Sequence, residues 1–431
     1  MPKNMSFEES SRFLLKAEKI IPLGSQTFSK SYVQYPQGAS PLFATGAKGA
    51  KVWDIDGNAY VDLVNSLAAI TAGYKNRKVD RAVHKQLRKG VIYSLPGSLE
   101  FEVAEKICEL VPSAEMVRFA KNGTDATSAA IRLARAFTGK KHIAICGYHG
   151  WQDWFIGTTS RNKGVPKEVS DLSHTFQYNN INSLEEIFSE FPGQIAAVIL
   201  EPMTKEFPKN DFLKRVKDLT KQNNSILVFD ETITGFRFAE GGAQELFNVV
   251  PDLTTLGKGI ANGYPLSAIV GNREIMSEMK EIFFSGTFGG ELLSLAAANV
   301  ILDMHLNRKI VPKLIQIGDE INNKVTALIE QHSLSNVLNI QGHSSWKILS
   351  WSGTDRYSID QIRTLFLQEM LSKGVLVIGS HNISTAMTSR NIAKVVDAYD
   401  KSLRVIAKGL REERLEKLLR TPLVVPLFQV R

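Results

Sequence analysis

The stretch Ile226-Leu-Val-Phe-Asp-Glu-Thr-Ile-Thr-Gly-Phe-Arg237 decides the fold of this chain of 431 residues. Its first four residues form an uninterrupted apolar run, which is typical of a strand buried on both faces of a parallel sheet. Asp230 follows at the carboxyl end of that strand, where a buried carboxylate is unfavourable unless a partner compensates it. The protonated ring nitrogen of a bound aromatic ligand would be such a partner. Alternatively, Asp230 caps the next helix.

Similar short apolar runs, bounded by Gly, Asn or Asp, recur along the chain and are separated by amphipathic helical spacing. They are Met116–Ala120, His142–Cys146, Ile195–Leu200, Leu253–Leu256 and Ala268–Val270. Strands without polar alternation that are joined through helices predict an α/β fold with a mostly parallel sheet covered on both faces. Ligands of such sheets bind beyond the carboxyl ends of the strands.

The two ends of the chain have different patterns. Apolar residues of Ser6–Ile21 have helical spacing, and residues 50–62 alternate around an Asp-Gly-Asn turn, which predicts a β-hairpin. After Leu302, long helical stretches alternate with short apolar runs. We therefore predict an N-terminal arm and hairpin over residues 1–60, a large ligand-binding domain over 61–305 and a smaller C-terminal α/β domain over 306–431.

Lys258 is a candidate for covalent chemistry. It follows the run Leu253–Leu256 and stands between Gly257 and Gly259, whose missing side chains let the backbone approach a ligand closely. A lysine that is desolvated beside a cationic ring loses proton affinity and can form an imine with an aldehyde. A lone lysine is more often a solvated surface residue, so this signal needs the others beside it.

A turn and a loop at the same predicted sheet edge supply further candidates. Phe119–Arg135 has the pattern of a strand, a turn and an amphipathic helix, and the free amides of Gly123 and Thr124 at the helix start suit a phosphate. In the aromatic loop after His142–Cys146, Tyr148 could stack on a planar ring. The alternatives are a plain capped helix, ordinary aromatic packing and a structural role for His149.

Composition limits the class of protein. The hydrophobic fraction of 43% and the charged fraction of 22% are those of a globular protein. Cys108 and Cys146 are too few for a disulfide framework and have no zinc-ligand spacing, so no metal is predicted. The net charge of +8 is scattered without basic runs, which favours small anionic ligands over nucleic acid. Since no signal peptide or membrane-length apolar run is visible, we expect a cytoplasmic location.

Five motifs in one order resemble the class III aminotransferases, and most closely their glutamate-1-semialdehyde aminomutase branch. They are Asn122-Gly-Thr-Asp-Ala-Thr127, Tyr148-His-Gly150, Leu200-Glu-Pro202, Phe229-Asp-Glu-Thr-Ile-Thr-Gly-Phe-Arg237 and Thr254-Thr-Leu-Gly-Lys258. The resemblance extends from Ile21 to about Ala398. It implies a fold type I enzyme that uses pyridoxal 5′-phosphate (PLP) and forms a homodimer with active sites at the subunit interface.

The resemblance also implies roles for individual residues. Lys258 matches the lysine that holds PLP as an internal Schiff base, and Asp230 matches the partner of the pyridine nitrogen. Tyr148 and Thr232 would pack on opposite faces of the ring, and Thr287 would reach the phosphate of the neighbouring subunit. The complete set of implied cofactor-binding residues is Asn122, Gly123, Thr124, Tyr148, His149, Glu201, Asp230, Thr232, Lys258 and Thr287.

The activity implied is transfer of an amino group from a donor, by default glutamate, to an aldehyde or ketone acceptor. Three departures favour this over the intramolecular aminomutase. The N-terminal arm offers at most Lys30 where the mutase has an arginine for its substrate carboxylate. Residues 286–292 depart from the family's Gly-Thr-x-Ser-Gly-Asn-Pro stretch, and residues 378–385 lack an acidic residue at the expected place. Relatives with a similar arm suggest a keto-sugar or specialised metabolite as acceptor. An aminomutase and a non-catalytic binding protein are the alternatives.

Overall fold

A computed structural model describes residues 5–425 of the chain. Its strands are β1 Ala44–Lys48, β2 Lys51–Asp54, β3 Ala59–Asp62, β4 Met116–Ala120, β5 His142–Cys146, β6 Ser173–Thr175, β7 Ile195–Leu200, β8 Ile226–Glu231, β9 Leu253–Leu256, β10 Ser267–Gly271, β11 Leu338–His343, β12 Trp346–Trp351, β13 Val375–Leu376 and β14 Ser380–Asn382. Its α-helices are α1 Glu8–Ala17, α2 Asn65–Ala68, α3 Arg77–Leu87, α4 Ser98–Leu110, α5 Gly123–Thr138, α6 Asp153–Ile156, α7 Lys167–Ser170, α8 Ile181–Glu190, α9 Phe212–Gln222, α10 Ala243–Leu246, α11 Arg273–Ser277, α12 Leu292–Leu306, α13 Val311–Gln331, α14 Ile359–Ser372 and α15 Ser389–Arg411.

The described chain divides into two compact units. One comprises residues 77–312, and the other joins residues 5–76 to residues 313–425. The N-terminal segment and the C-terminal part thus share the smaller unit. The domain bounds at residues 60 and 305 stay predictions, and the end of the predicted C-terminal domain lies outside the described residues.

The larger unit is built on one sheet with the strand order β4-β10-β9-β8-β7-β5-β6. The pairs β9–β8, β8–β7, β7–β5 and β5–β6 are parallel, so the predicted mostly parallel sheet is confirmed. Strand β10 runs antiparallel to both β4 and β9. The chain between Leu256 and Ser267 is shorter than the crossover of about a dozen residues that a parallel return requires, which explains the reversal.

Both faces of this sheet are covered, as the apolar runs predict. In β7, Ala197 and Ile199 belong to a buried cluster with residues of α5. Val198 and Leu200, which point to the opposite face, pack in a second cluster with residues of α8 and α9. Burial of each such Leu or Ile side chain contributes about 1.5–3 kcal/mol. The sheet is therefore a rigid support for the residues at its edges.

The smaller unit contains a four-stranded sheet in the order β1-β2-β3-β13 and a three-stranded sheet in the order β11-β12-β14. Strands β2 and β3 pair antiparallel and confirm the hairpin predicted over residues 50–62. Helices α13 and α14 lie in the region after Leu302, where long helical stretches are predicted.

Candidate active site

Asp230 lies near the carboxyl end of β8, where the apolar strand delivers it, and its side chain is buried. The oxygen Oδ1 accepts three hydrogen bonds: from Thr232 N at 3.1 Å, from Thr232 Oγ1 at 2.6 Å and from Thr255 Oγ1 at 3.0 Å. The oxygen Oδ2 lies 2.8 Å from His149 Nδ1. The carboxylate is therefore held in one orientation by both of its oxygens.

These contacts decide the charge of Asp230. Burial by itself would raise the pKa of this carboxyl, but the hydrogen bond and charge of His149 and the hydrogen bonds from Thr232 outweigh burial and leave the pKa below its usual value. Asp230 is consequently an anion at neutral pH inside the protein, and this is the state that can hold a proton on a ring nitrogen.

The side chain of His149 is fully buried and contacts Oδ2 of Asp230. Its Nδ1 contacts Asp230, and its Nε2 lies 3.2 Å from the carbonyl oxygen of Cys146. The imidazole is also stacked at 6.2 Å between ring centroids on Trp154. Both ring nitrogens are thus engaged with the protein, so the structure shows His149 as a support for Asp230.

Lys258 lies beyond the end of β9, the strand that pairs with β8. Thr255 is directly opposite Asp230 in this parallel pair, so Lys258 and Asp230 are at the same edge of the sheet. Lys258 has φ of 42°, in the left-handed region that a non-glycine residue adopts only under constraint. Among residues 5–425, no hydrogen bond to its amine is formed. Burial lowers the pKa of Lys258, although the charges of Glu201 and Asp230 act against this.

The start of α5 lies against Thr232. Asn122 is the N-cap residue, and its backbone N donates to the Asp125 carboxylate at 2.8 Å. A Cβ on Gly123 would lie 3.0 Å from Thr232 Cγ2, and a Cβ on Gly257 would lie 3.2 Å from the same methyl group. Because Gly123 and Gly257 have no side chains, Thr232 fits between the start of α5 and the turn before Lys258. The backbone amides of Gly123 and Thr124, in the first turn of α5, are of the kind that can bind an anion.

Glu201 follows β7 and binds the backbone of the loop that contains Tyr148. Its Oε2 accepts the backbone N–H of Tyr148 at 2.9 Å. Gly147 has φ of 108°, and a Cβ there would lie 2.6 Å from the same oxygen, so only glycine fits this approach. Burial raises the pKa of Glu201, and the charge of His149 lowers it in part. The Tyr148 ring is half exposed and meets the edge of Phe155 at 5.3 Å between centroids.

Most of the sequence-predicted residues follow the ends of strands in the large sheet, and Thr287 lies in the segment before α12. Those at the ends of β4, β5, β7, β8 and β9 are Asn122, Gly123, Thr124, Tyr148, His149, Glu201, Asp230, Thr232 and Lys258. Thr287 is exposed and lines a cavity of about 470 Å³ together with Lys121 and Asp125, which flank the start of α5. Its role in a neighbouring subunit stays a prediction.

Two residues of the site were missed by the sequence reasoning. Thr255 donates to Asp230, and the register of β8 with β9 would have indicated it once the two runs were paired. Glu231 is buried on the other face of β8, where it accepts from Ala243 N at 2.5 Å, Gln244 N at 3.0 Å and Thr234 Oγ1 at 2.8 Å. Because successive side chains of a strand point to opposite faces, the position of Glu231 directly after Asp230 indicated that it lies on the other face.

The arm residue Lys30 lies in the smaller unit. Its Nζ is 3.3 Å from Ser66 Oγ. The two side chains line a cavity of about 440 Å³ together with Tyr35 and Tyr74. Elsewhere in the part of the chain that the structure describes, no three His, Cys, Asp or Glu side chains are grouped as metal ligands would be. None of the helices there is long and apolar enough to cross a bilayer.

Known proteins share this architecture and these motifs. The family described as "Aminotransferase class-III" matches residues 32–401. The chain is 34% identical over 398 residues to the glutamate-1-semialdehyde 2,1-aminomutase of Aquifex aeolicus, covering 86% of this chain and 93% of that one. It is 31% identical to the 3-aminobutyryl-CoA aminotransferase of Cloacimonas acidaminovorans, covering 95% of this chain and 100% of that one.

Among solved structures, the PLP internal aldimine form of the Sphingopyxis sp. MTA144 FumI protein is similar with a TM-score of 0.87 and 27% identity, over 94% of this chain and 99% of that one. The fold is therefore fold type I, as predicted, with the residues described above at the carboxyl edge of its large sheet. The family match covers most of the chain, and relatives above 30% identity and a shared fold agree with it. The chain therefore belongs to the class III aminotransferase family.

Proposed function

We propose that this protein is a PLP-dependent aminotransferase that moves an amino group from a donor, by default glutamate, to an aldehyde or ketone acceptor. The observation that carries the proposal is the pair formed by Asp230 and Lys258. One is a buried carboxylate kept ionised, and the other is a lysine whose pKa is lowered by burial, at the same edge of the sheet. Both pKa values are lowered, which keeps the carboxylate charged and favours the neutral amine, and two perturbed groups in one place are typical of a functional site.

The residues of the large unit fit PLP. The Asp230 carboxylate would bind the ring nitrogen, and the amides of Gly123 and Thr124 at the start of α5 would bind the phosphate. Tyr148 and Thr232 would contact the ring faces. When bound, PLP supplies an aldehyde that can join the donor's nitrogen and a ring that accepts electrons. Thr287 would complete the phosphate site of a second copy in a homodimer.

Lys258 has the properties of the proton carrier. A lysine acts as a base only as the neutral amine, and burial favours that form. Its Nζ would move a proton from the donor's Cα to the cofactor's aldehyde carbon in the first half of the reaction, and from that carbon to the acceptor's carbon in the second half. The donor leaves as a carbonyl compound, and the acceptor leaves as an amine.

The first experiment tests Lys258. Reduction of the cofactor-loaded protein with borohydride should fix the cofactor on the peptide that contains Lys258, as read by peptide mass. Lys258→Ala should abolish this product, whereas Lys324→Ala, on the exposed side of α13, should not. If the cofactor is fixed equally well in Lys258→Ala, the assignment is wrong.

A second experiment identifies the donor. Candidate amino donors, beginning with glutamate, are added singly to the loaded protein, and conversion of the cofactor to its amine form is read from the visible absorbance. At least one donor should change the absorbance of the wild type. A protein that binds PLP but responds to no amino donor would favour the binding-protein alternative.

A third experiment separates the aminotransferase from the aminomutase, which several relatives are named as. A donor labelled with ¹⁵N on its amino group is supplied together with a carbonyl acceptor. Label in a different carbon skeleton supports the aminotransferase. Label retained within the original skeleton, with turnover, supports the mutase. The replacement of an arginine by Lys30 in the arm is the reason to expect the first result.

The proposed shared dimer has its own test. Lys258→Ala and Thr287→Ala are each expected to be impaired as separate proteins. In a mixed dimer, one of the two sites would combine the intact Lys258 of one copy with the intact Thr287 of the other. Activity should therefore reappear on mixing, up to half of the wild-type value per mixed dimer. No recovery from variants shown to exchange subunits would contradict a shared site.

A further inference from the structure

We infer that Thr255 is a positioning residue that, together with Thr232, saturates Oδ1 of Asp230 and so leaves Oδ2 as the oxygen that pairs with the cofactor's ring nitrogen. The inference rests on the function proposed above. It adds the oxygen of Asp230 that contacts the ring nitrogen and a residue that stabilises the Asp230 anion through its third hydrogen bond on Oδ1.

The count of donors on each oxygen supports this. A carboxylate has about four lone-pair sites, two on each oxygen. Oδ1 already receives three donors within the protein, at 3.1, 2.6 and 3.0 Å, from Thr232 N, Thr232 Oγ1 and Thr255 Oγ1. Oδ2 receives one donor, His149 Nδ1 at 2.8 Å. A further donor can therefore be accommodated on Oδ2 and not on Oδ1.

The strand register explains how Thr255 reaches Asp230. The two residues are directly opposite in the parallel pair of β8 and β9, so their side chains are on the same face of the sheet. Thr255 is fully buried and has no access to water, and its hydroxyl is committed to the carboxylate.

Thr254 provides a matched comparison one residue away. Its side chain points to the opposite face, where Oγ1 lies 2.8 Å from Ser113 Oγ and accepts from Gln244 Nε2 at 3.1 Å. Thr254 and Thr255 are equally buried and both hydrogen-bonded, and they differ in whether the partner is Asp230. Replacement of either hydroxyl by a methyl group is the same chemical change.

The charged surroundings of Asp230 are independent of Thr255. The titratable groups that act on or are acted on by Asp230 are His149, Tyr148, Glu201 and Lys258. Thr255→Val alters none of them. It removes one hydrogen bond that favours the anion, which raises the pKa of Asp230. The hold of the carboxylate on the ring nitrogen is thereby weakened.

The test compares Thr255→Val, Thr255→Ser and Thr254→Val. Three quantities are measured: the dissociation constant of PLP from the apoprotein by absorbance titration, the pH dependence of the donor-driven absorbance change, and the unfolding temperature of the apoprotein. Thr255→Val should raise the dissociation constant about tenfold, the lower end of the usual effect of one hydrogen bond to a charged group, because Thr255 acts on PLP only through Asp230. It should also move the acid limb of the pH profile to higher pH.

Thr255→Ser keeps the hydroxyl and should bind PLP within about twofold of the wild type. Thr254→Val should lower the unfolding temperature and leave the PLP affinity and the pH profile unchanged. Wild-type behaviour of Thr255→Val, or an equal loss of affinity in Thr254→Val, overturns the inference and leaves the proposed function intact. If the wild-type apoprotein itself does not bind PLP, the proposed function fails, and the positioning role fails with it.

Discussion

Gly123→Ala is the substitution whose effect follows most directly from the geometry. The added Cβ would lie 3.0 Å from Thr232 Cγ2 and 3.2 Å from Thr232 Oγ1, both closer than ordinary van der Waals contact. Thr232 cannot yield freely, because its Oγ1 is bonded to Asp230 at 2.6 Å and its methyl group faces Gly257. A displacement of Thr232 therefore disturbs Asp230, and the new methyl group also narrows the cradle at the start of α5.

The size of the effect is set by two opposing terms. Overpacking of a tight site costs about 1–3 kcal/mol. Alanine is the better helix former, which offsets about 0.5–1 kcal/mol of that cost. We expect about 1.4 kcal/mol of the remainder to be lost from cofactor binding, because the displaced groups are those that would hold PLP. This corresponds to a dissociation constant about tenfold higher.

The assay is absorbance titration of the apoprotein with PLP, with Gly379→Ala as the control. A Cβ on Gly379 meets no atom within 4 Å, so this variant should match the wild type within about twofold. Gly257→Ala, whose Cβ would meet the same Thr232 methyl group at 3.2 Å, should weaken binding in the same direction. Wild-type affinity in Gly123→Ala would refute the reasoning, since it would show that Thr232 moves without consequence for the cofactor.

Three further predictions concern stability and reactivity. Glu231→Gln should lower the free energy of unfolding by about 1–3 kcal/mol in urea titrations. Each carboxylate oxygen of Glu231 accepts a backbone N–H, and the substitution replaces one of these oxygens by an NH₂ group that cannot accept. An unchanged free energy of unfolding would contradict this. Burial lowers the pKa of His381 from 6.5 to about 4, so the unfolded chain binds the proton first and stability falls as the pH drops through that range. The loss of unfolding free energy from His381 should reach about 3 kcal/mol below about pH 4. In His381→Gln, the urea concentration at the unfolding midpoint should therefore fall less steeply as the pH is lowered. Burial raises the pKa of Cys146 to about 12 and also raises the pKa of Cys108, but Cys108 is partly exposed and Cys146 is buried. Alkylation of the native protein at about pH 8 should therefore modify Cys108 slowly and spare Cys146 until unfolding, as read by peptide mass.

The sheet was largely predictable because burial on both faces leaves a local mark. The apolar runs at Ile195–Leu200 and Leu253–Leu256 coincide with strands β7 and β9, since a strand covered on both sides has no position for a polar residue. The strand Ser173–Thr175 was not predicted, because three polar residues at the edge of a sheet carry no such pattern. The direction of Ser267–Gly271 depends on the length of its connection and not on its composition.

The candidate site was predictable in part for a related reason. A residue that follows a buried apolar strand must lie at the edge of the sheet, so Asp230 and Lys258 could be placed near each other from sequence alone. Their proposed roles came from the order of the motifs. The hydrogen bonds of Asp230 were not accessible in that way, because they depend on the register between β8 and β9 and on how the loop with His149 packs.

The sequence by itself determined the α/β class, the long strands and the positions at which polar groups leave the sheet, because each depends on residues adjacent in the chain. Only the tertiary structure decided which oxygen of Asp230 accepts three hydrogen bonds, that His149 contacts the other oxygen, and which residues share a cavity with Thr287. These features depend on how distant segments pair and pack, since a hydrogen bond requires its two atoms to be within about 3 Å whatever their separation in sequence.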